Sequence, residues 1–279
     1  ESIMLYGWYT MLVYVMSIPG GMIADKILGQ KKAVLYGALT LVAGHGILAF
    51  DEMWAFYAGL ALIVLGVGLL KPNISTMVGG LYKQGDIRRD KGFTIFYIGI
   101  NVGAFLAALI VGYVGETYGW HYGFGLAGIG MLVGLFYFYR GTNKDVFQDK
   151  GNVPDQKVYD EKFLGMNKGQ VVTLGAFLAV PVFAIIVKYN QYEHYIVWIA
   201  TIAITAMMIY IYRSVGTIAR KRLLVTAYFT ILMSLFWAIF EQAGSSLTLF
   251  ADRNINLVGL NAAQTNSINS GFIILLAIP

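Results

Sequence analysis

The central stretch of the sequence reads Gly66-Val67-Gly68-Leu69-Leu70-Lys71-Pro72-Asn73-Ile74-Ser75-Thr76. Apolar residues extend around it from Met53 to Tyr82, and Lys71 is the one basic residue among them. If this run is a membrane-spanning helix with a rise of about 1.5 Å per residue, Lys71 lies roughly 28 Å from Glu52 and roughly 18 Å from Lys83. A charge at that depth costs at least about 2.5–3.5 kcal/mol on insertion scales. Unless it is paired for purely structural reasons, Lys71 is predicted to face a water-filled cavity and bind a carboxylate or another anion there.

The composition indicates a polytopic helical membrane protein. Of the 279 residues, 58% are hydrophobic and only 13% are charged, whereas a soluble domain has about 25% charged residues. Several apolar runs of about 18 or more residues are each long enough to span a lipid bilayer. The 33 glycines favour close packing between such helices. The chain has no cysteine, which excludes disulfides and thiolate metal sites.

The apolar runs predict eight membrane helices and the start of a ninth near residue 262. Between the fifth and sixth helices lies the polar segment 141–167, which is rich in Lys, Asp, Asn and Gly and is predicted to be a solvated linker. The predicted helices are approximately 2–26, 32–50, 53–82, 91–117, 121–140, 168–188, 194–213 and 222–250.

Basic residues are distributed unevenly between alternate loops. The loops on one side, together with the linker, contain 17 of the 20 lysines and arginines, whereas the other side has only Lys188 and Arg253. Because cytoplasmic loops carry the excess of basic residues, we expect the basic loops and the linker on the cytoplasmic side of the membrane. The net charge of +5 is explained by this topology, and no nucleic-acid partner is expected.

The loop that ends the first helix carries a second pattern. It reads Gly20-Gly21-Met22-Ile23-Ala24-Asp25-Lys26-Ile27-Leu28-Gly29-Gln30-Lys31-Lys32, with an acid at the end of one helix, glycines for a tight turn and paired lysines at the start of the next helix. One interpretation is a topology signal and a turn. The other is a conformational loop motif in which Asp25 faces a helix N-terminus or a basic neighbour in one state only. Its candidate residues are Gly21, Asp25, Gly29 and Lys31.

Two other helices carry polar residues suited to meet the lysine. Tyr97 and Asn101 are four residues apart and share a helix face, where they offer a phenol and an amide to a peptide-like ligand or to another helix. Glu241 lies about 28 Å from Arg222, and Trp237 is one turn before it on the same face. A buried carboxylate of this kind is either paired with a cation or carries a proton.

Together these motifs resemble the signature of the proton-dependent oligopeptide transporters, a family of the major facilitator superfamily. The loop 20–32 is similar to the superfamily's cytoplasmic loop motif, in a variant where glycine follows the acid by four positions. The resemblance extends from about Tyr14 to Phe250, and its most specific parts are Gly68-Leu69-Leu70-Lys71-Pro72-Asn73-Ile74-Ser75, Asp86-Ile87-Arg88-Arg89-Asp90 and the segment 93–103.

The resemblance implies a symporter that uses the proton gradient to import di- and tripeptides by alternating access. It also implies a protein that functions as a monomer in the lipid bilayer of a bacterial cytoplasmic (inner) membrane. It implies that Lys71 and Glu241 take part in proton coupling or gating. Protons would be the coupling ion, with no metal and no other cofactor. The residues matching the family's substrate pocket are Tyr14, Lys71, Tyr97, Asn101, Trp237 and Asn269.

The same resemblance implies an all-α fold of twelve core helices in two bundles of six. On this basis the chain is expected to be a fragment with core helices 2–7, two extra helices between the bundles and the start of helix 8. The family's E-x-x-E-R pattern in helix 1, and its last four helices, have no counterpart in the sequence. The expected domains are 1–140 for the N-terminal bundle, 141–167 for the cytoplasmic linker, 168–213 for the extra helices and 214–279 for the start of the C-terminal bundle.

Three alternatives remain at this stage. The nearest is a major facilitator carrier of another substrate, such as nitrate or a drug-like compound. An integral-membrane enzyme is disfavoured because the sequence has no recognisable nucleophile–base pair, metal cluster or phosphate loop. A channel is disfavoured because the intramembrane charges are single and unrepeated, whereas selectivity filters are built from rings.

Overall fold

The computed structural model describes residues 2–277 and consists largely of long helices. The elements up to the linker are α1, Ser2–Leu28; α2, Gln30–Leu48; α3, Met53–Gly80; α4, Arg88–Tyr118; and α5, Trp120–Asn143. The linker contains α6, Gln156–Asp160, and a hairpin of β1, Lys162–Phe163, with β2, Met166–Asn167. The remaining elements are α7, Lys168–Lys188; α8, Asn190–Ser214; α9, Thr217–Gly244; α10, Ser246–Asn254; and α11, Ser267–Leu276.

Within residues 2–277, seven helices are long and apolar enough to span a membrane: α1, α3, α4, α5, α7, α8 and α9. This confirms a multi-pass membrane protein. The predicted span 32–50 is helical as α2, but it falls below the apolarity of the other seven because its first turn carries Gln30, Lys31 and Lys32. The helix predicted to begin near residue 262 starts with a 3₁₀ turn, Ala263–Asn266, and continues as α11.

Helix α7 is interrupted, although we predicted one continuous helix over 168–188. Its α-helical parts are Lys168–Leu178 and Val180–Lys188. Pro181 explains the break, because proline has no N–H to donate to the carbonyl of Phe177 four residues earlier. The hydropathy of the run could not indicate this, since every residue around the break is apolar.

The prediction of one helix over 222–250 was also wrong. The α-helical part of α9 ends at Phe240 and is followed by a 3₁₀ turn, Glu241–Gly244. Ser245 then has φ −135° and ψ −97°, outside the helical region, and α10 begins as a separate helix. Glu241, which we predicted to lie inside a helix, therefore lies in the turn that ends it.

Helix α3 is the centre of the first group of helices and packs on α1, α2 and α7. Gly37 of α2 and Gly66 of α3 meet so closely that a Cβ on Gly37 would lie 2.8 Å from the carbonyl oxygen of Gly66. A buried cluster that includes Trp8, Val64 and Val187 joins α1, α3 and α7. The first extra helix is therefore held against the N-terminal group of helices.

The linker is folded onto the loop between α1 and α2, and most of its residues are nevertheless exposed, in keeping with the predicted solvated segment. The backbone N–H of Lys31 donates to the carbonyl of Gly151 at 2.8 Å, and its ammonium donates to the carbonyl of Gln148 and, at 2.9 Å, to Oδ1 of Asn152. The ammonium of Lys32 lies 3.8 Å from the ring centre of Tyr159. The donors at the start of α2 need acceptors, and the polar linker supplies them.

Candidate functional site

Lys71 lies in α3 at a point where this helix is fixed to α1. Pro72 cannot donate to the carbonyl of Gly68, and Gly20 of α1 packs directly on that carbonyl, where any side chain would clash. Asn73 is 1% exposed, and its amide donates to the carbonyl of Gly20 at 3.3 Å. The residues that flank Lys71 therefore set the crossing of α1 and α3.

Four of the predicted site residues converge around one side chain, Tyr14 of α1. The ammonium of Lys71 lies 4.4 Å from the centre of the Tyr14 ring. The Tyr14 hydroxyl donates to Oε1 of Glu241 at 3.1 Å. The Tyr14 and Trp237 rings are 6.2 Å apart between centroids. We call these four residues the Tyr14 cluster; it joins α1 and α3 to α9.

The chemistry of the Tyr14 cluster combines a cation, a carboxylate and aromatic walls. The position of the ammonium over the ring is that of a cation–π interaction, and the hydrogen bond to a carboxylate is of the stronger, charge-assisted kind. In the part of the chain that the structure describes, the ion pairs are Asp86–Arg88, Asp149–Lys150 and Glu161–Lys168. Lys71 is thus free of a carboxylate partner within 4.0 Å among these residues, and can accept an anionic ligand.

Glu241 was predicted to be a buried carboxylate, and the structure corrects this: it is half-buried, in the turn that ends α9. Three residues further on, the hydroxyl of Tyr6 packs on Gly244 so closely that a side chain at 244 would clash with it. Tyr6 is eight residues before Tyr14 and on the same face of α1. Tyr6 was not among the predicted site residues, because a tyrosine near a helix end also fits an interfacial aromatic belt.

The other three predicted pocket residues lie outside the Tyr14 cluster. The amide nitrogen of Asn101 donates to the carbonyl of Tyr97 at 2.9 Å, so the two residues are joined through the backbone of α4. The Tyr97 side chain is half-exposed. Asn269 is on the exposed side of α11, whereas Ser267 and Ser270 are buried. Within residues 2–277, no hydrogen bond or ring contact connects Tyr97, Asn101 or Asn269 to the Tyr14 cluster.

The conformational loop motif forms a compact turn. Oδ1 of Asp25 accepts a hydrogen bond from Nε2 of Gln30 at 2.8 Å, rather than facing a basic residue. Gly29 has φ +75° and ψ 153°, a backbone conformation that is essentially restricted to glycine. Lys31 bonds to the linker as described above. Gly21 faces α3, since a Cβ there would lie 3.9 Å from Cβ of Pro72.

The loop between α3 and α4 carries an acid–base pair in which Asp86 is half-buried and Arg88 is exposed. Oδ1 of Asp86 accepts from the backbone N–H of Arg88 at 2.9 Å, and Oδ2 accepts from the guanidinium at 2.8 Å. These hydrogen bonds favour the ionised carboxylate and lower the pKa of Asp86 from 3.8 to about 2. The pair fixes the turn that leads into α4.

Two polar residues join α4 to the segment before α11 and were not among the predicted site residues. Oε1 of Glu116 accepts from the backbone N–H of Ala263 at 2.8 Å. Nε2 of Gln264 donates to the carbonyl of Leu109 at 3.1 Å. An acid near the end of an apolar helix was the one sequence signal for Glu116, and it equally fits a residue at the membrane surface.

Comparisons with known proteins agree with the sequence motifs. Residues 31–279 match the model of the POT family. The chain is 36% identical, over 98% of its length, to the peptide transporter YePEPT of Yersinia enterocolitica. It is 35% identical, over 92% of its length, to a di-/tripeptide transporter of Lactococcus lactis. It spans 57% and 53% of these two relatives, so it corresponds to about half of each.

Solved structures give the same result for the fold. A crystal structure of a peptide transporter POT, as a point mutant in complex with alafosfalin, superposes with a TM-score of 0.77 and 37% identity, over 98% of this chain and 56% of that one. A bacterial homologue of the human drug peptide transporters PepT1 and PepT2 superposes with a TM-score of 0.84 and 27% identity, over 98% and 61% of the two chains. The fold is therefore part of a major facilitator fold, and the chain belongs to the POT family, whose members are transporters and not enzymes.

Proposed function

We propose that the complete protein is a proton-coupled symporter that imports di- and tripeptides by alternating access. The observation that carries this proposal is the Tyr14 cluster, which brings a cation and a carboxylate together where the two groups of helices meet. The Lactococcus lactis relative is a di-/tripeptide transporter, and the related POT structure contains alafosfalin. Both support a peptide as the substrate.

In the proposed binding mode, Lys71 binds the C-terminal carboxylate of the peptide. A carboxylate is the natural partner for a cation that is inside the membrane and, among residues 2–277, has no carboxylate within 4.0 Å. The indole of Trp237 packs alongside the peptide. Tyr97, Asn101 and Asn269 bind its backbone groups, and Asn101 contributes its amide oxygen because its amide nitrogen already bonds to α4.

In the proposed coupling step, Glu241 carries the proton. The ionised carboxylate holds the Tyr14 hydroxyl by a charge-assisted hydrogen bond, which ties α1 to α9. Protonation removes that charge and leaves a hydrogen bond of about half the strength. A peptide carboxylate that binds Lys71 competes with the Tyr14 ring for the same cation. Proton and peptide together thus loosen the tie, and the two bundles rock around the bound substrate.

The experiment is uptake of a labelled dipeptide into liposomes that contain the full-length protein, driven by an imposed pH gradient. We expect uptake that collapses when the gradient is dissipated and is lost in Lys71→Ala. A matched control is Lys188→Ala, since Lys188 also lies over a ring, that of Tyr189 at 5.8 Å, but at a helix end away from the site.

Wild-type protein that takes up no dipeptide would contradict the proposed substrate. If the same liposomes take up labelled nitrate or a drug-like compound instead, the alternative carrier function is supported. Gradient-driven uptake by Lys71→Ala at the wild-type rate would contradict the role given to the lysine. Equal losses in Lys71→Ala and Lys188→Ala would attribute the effect to general damage.

A further inference from the structure

Helix α4 contains a π-helical turn, Ala107–Val111, between two α-helical parts. In such a turn each N–H bonds to the carbonyl five residues earlier instead of four, which puts the hydrogen-bond ladder out of register and leaves backbone carbonyls available. Two carbonyls in this region bind side chains from a distant segment. The carbonyl of Leu109 accepts from Nε2 of Gln264 at 3.1 Å, and that of Gly112 accepts from Nδ2 of Asn261 at 3.4 Å.

The segment that supplies these donors is held rigidly before it reaches α4. Asn261 and Gln264 exchange two hydrogen bonds, each from a backbone N–H to the other's side-chain oxygen and each 3.0 Å long. Gln264 is only 8% exposed. Its amide is therefore oriented by its own segment and inserted against the π-helical turn.

Two further contacts complete the junction. The carboxylate of Glu116, one turn after Gly112, accepts from the backbone N–H of Ala263 at 2.8 Å. Gly112 allows the close approach, since a Cβ there would lie 3.1 Å from Cβ of Ala263. The whole junction lies on the C-terminal part of α4, which is the end away from the basic loop 83–91.

We propose that Glu116, Asn261 and Gln264 form a latch that holds the two bundles together at this end of the molecule, and that transport requires the latch to open. The requirement that the latch opens during transport rests on the proposed function. The latch is separate from the Tyr14 cluster, because it joins α4 to the segment before α11 and not α1 to α9. Its bonds to Leu109 and Gly112 are between uncharged groups, each of which shifts an equilibrium by about fivefold. It is therefore strong enough to bias the closed state and weak enough to open.

The test measures the distance between the bundles directly in the full-length protein, without substrate. This chain has no cysteine. After replacement of any cysteine elsewhere in the full-length protein, Tyr118→Cys and Ile255→Cys, both at exposed positions, can carry spin labels for pulsed electron paramagnetic resonance in nanodiscs. We expect Gln264→Leu to raise the ratio of long to short distances about fivefold. Glu116→Leu removes a hydrogen bond to a charged group, and we expect it to raise this ratio about tenfold or more.

A second variant opens the latch without removing any of its donors. Gly112→Leu places a side chain where Ala263 lies, and it raises helix propensity, so loss of folding is not expected. Its matched control is Gly103→Leu in the same helix, because a Cβ on Gly103 meets nothing within 4 Å. For the glutamine, the control is Gln191→Leu, at an exposed position.

Wild-type distances in both Gln264→Leu and Gly112→Leu would overturn the latch, and so would equal changes in the controls. Since the readout needs neither peptide nor proton gradient, it is independent of the substrate. Shifted distances in a protein that fails to take up dipeptides would support the latch and contradict the proposed function. If the variants show wild-type distances and the protein does take up dipeptides, the latch is contradicted and the proposed function is supported.

Discussion

The Tyr14 side chain contacts two neighbours, one through its ring and one through its hydroxyl. Its ring face lies under the ammonium of Lys71, and its hydroxyl donates to Glu241. A phenylalanine would keep the first interaction and lose the second. We can therefore measure separately how Tyr14 holds the cation and how it ties α1 to α9.

For Tyr14→Phe we expect dipeptide affinity within about twofold of wild type and weaker coupling to the proton, so that the ratio of uptake with the pH gradient to uptake without it falls at least tenfold. A hydrogen bond to a charged group contributes about 1.5–3 kcal/mol, which corresponds to a factor of ten or more. Binding is measured by titration calorimetry and uptake in liposomes. Tyr113→Phe, at an exposed position of α4, is the control. Loss of affinity with unchanged uptake kinetics at saturation would contradict this division of roles.

Asp86 provides a pH prediction outside the membrane. Since its pKa in the folded protein is lowered to about 2 from 3.8, its contribution to stability is fully present above about pH 4 and is lost as the pH falls through 2. Asp86→Asn is therefore expected to leave the shape of the uptake profile between pH 5 and 8 unchanged. Carbon-13 NMR of the labelled aspartate checks the pKa; a midpoint near 4, or a shifted uptake profile in the variant, would contradict the assignment.

The turn between α1 and α2 depends on Gly29 for two reasons that can be separated. Its φ of +75° restricts the position to glycine, and the carbonyl of Asn152 lies where a Cβ would be. Gly85, in the loop between α3 and α4, also has a positive φ, +83°, but a Cβ there meets nothing within 4 Å. Substitution at the two positions thus compares backbone strain with and without displacement of the linker.

We expect Gly85→Ala to cost about 1–3 kcal/mol from backbone strain alone. Gly29→Ala is expected to cost more, because the added Cβ also displaces the linker from the start of α2. Thermal unfolding of the purified protein in detergent measures both, and trypsin cleavage at Lys144 and Lys150 reports release of the linker. Equal stability losses, with the linker equally protected in both variants, would show that the linker does not depend on this turn.

Hydropathy predicted the helices well and their interruptions poorly. Pro181 interrupts α7 without changing the apolar character of that run, and the end of the α-helical part of α9 at Phe240 was likewise not predicted. The folded linker was missed for a related reason: its composition is polar, but its carbonyls are acceptors for donors that only the turn at Gly29 brings within reach. Hydropathy averages side chains, whereas these features depend on single backbone hydrogen bonds.

For the whole molecule, the sequence motifs predicted the family and four residues that the fold brings together, from positions as far apart as Tyr14 and Glu241. Motifs could do this because those side chains carry recognisable chemistry. They could not predict the latch, since two of its acceptors are backbone carbonyls of Leu109 and Gly112, which any sequence would supply. The π-helical turn beside them has no signature in the residues Ala107–Val111.

The orientation of the molecule in the membrane is the remaining property that the sequence predicts, from 17 of 20 basic residues on one side. Positively charged loops are retained on the cytoplasmic side during insertion. Gln84→Cys lies in a basic loop, and Asn256→Cys follows α10 on the opposite side; both positions are exposed. In intact cells a membrane-impermeant maleimide should label Asn256→Cys, and should label Gln84→Cys only after permeabilisation. The reverse pattern would contradict the orientation, and with it the inward direction proposed for peptide transport.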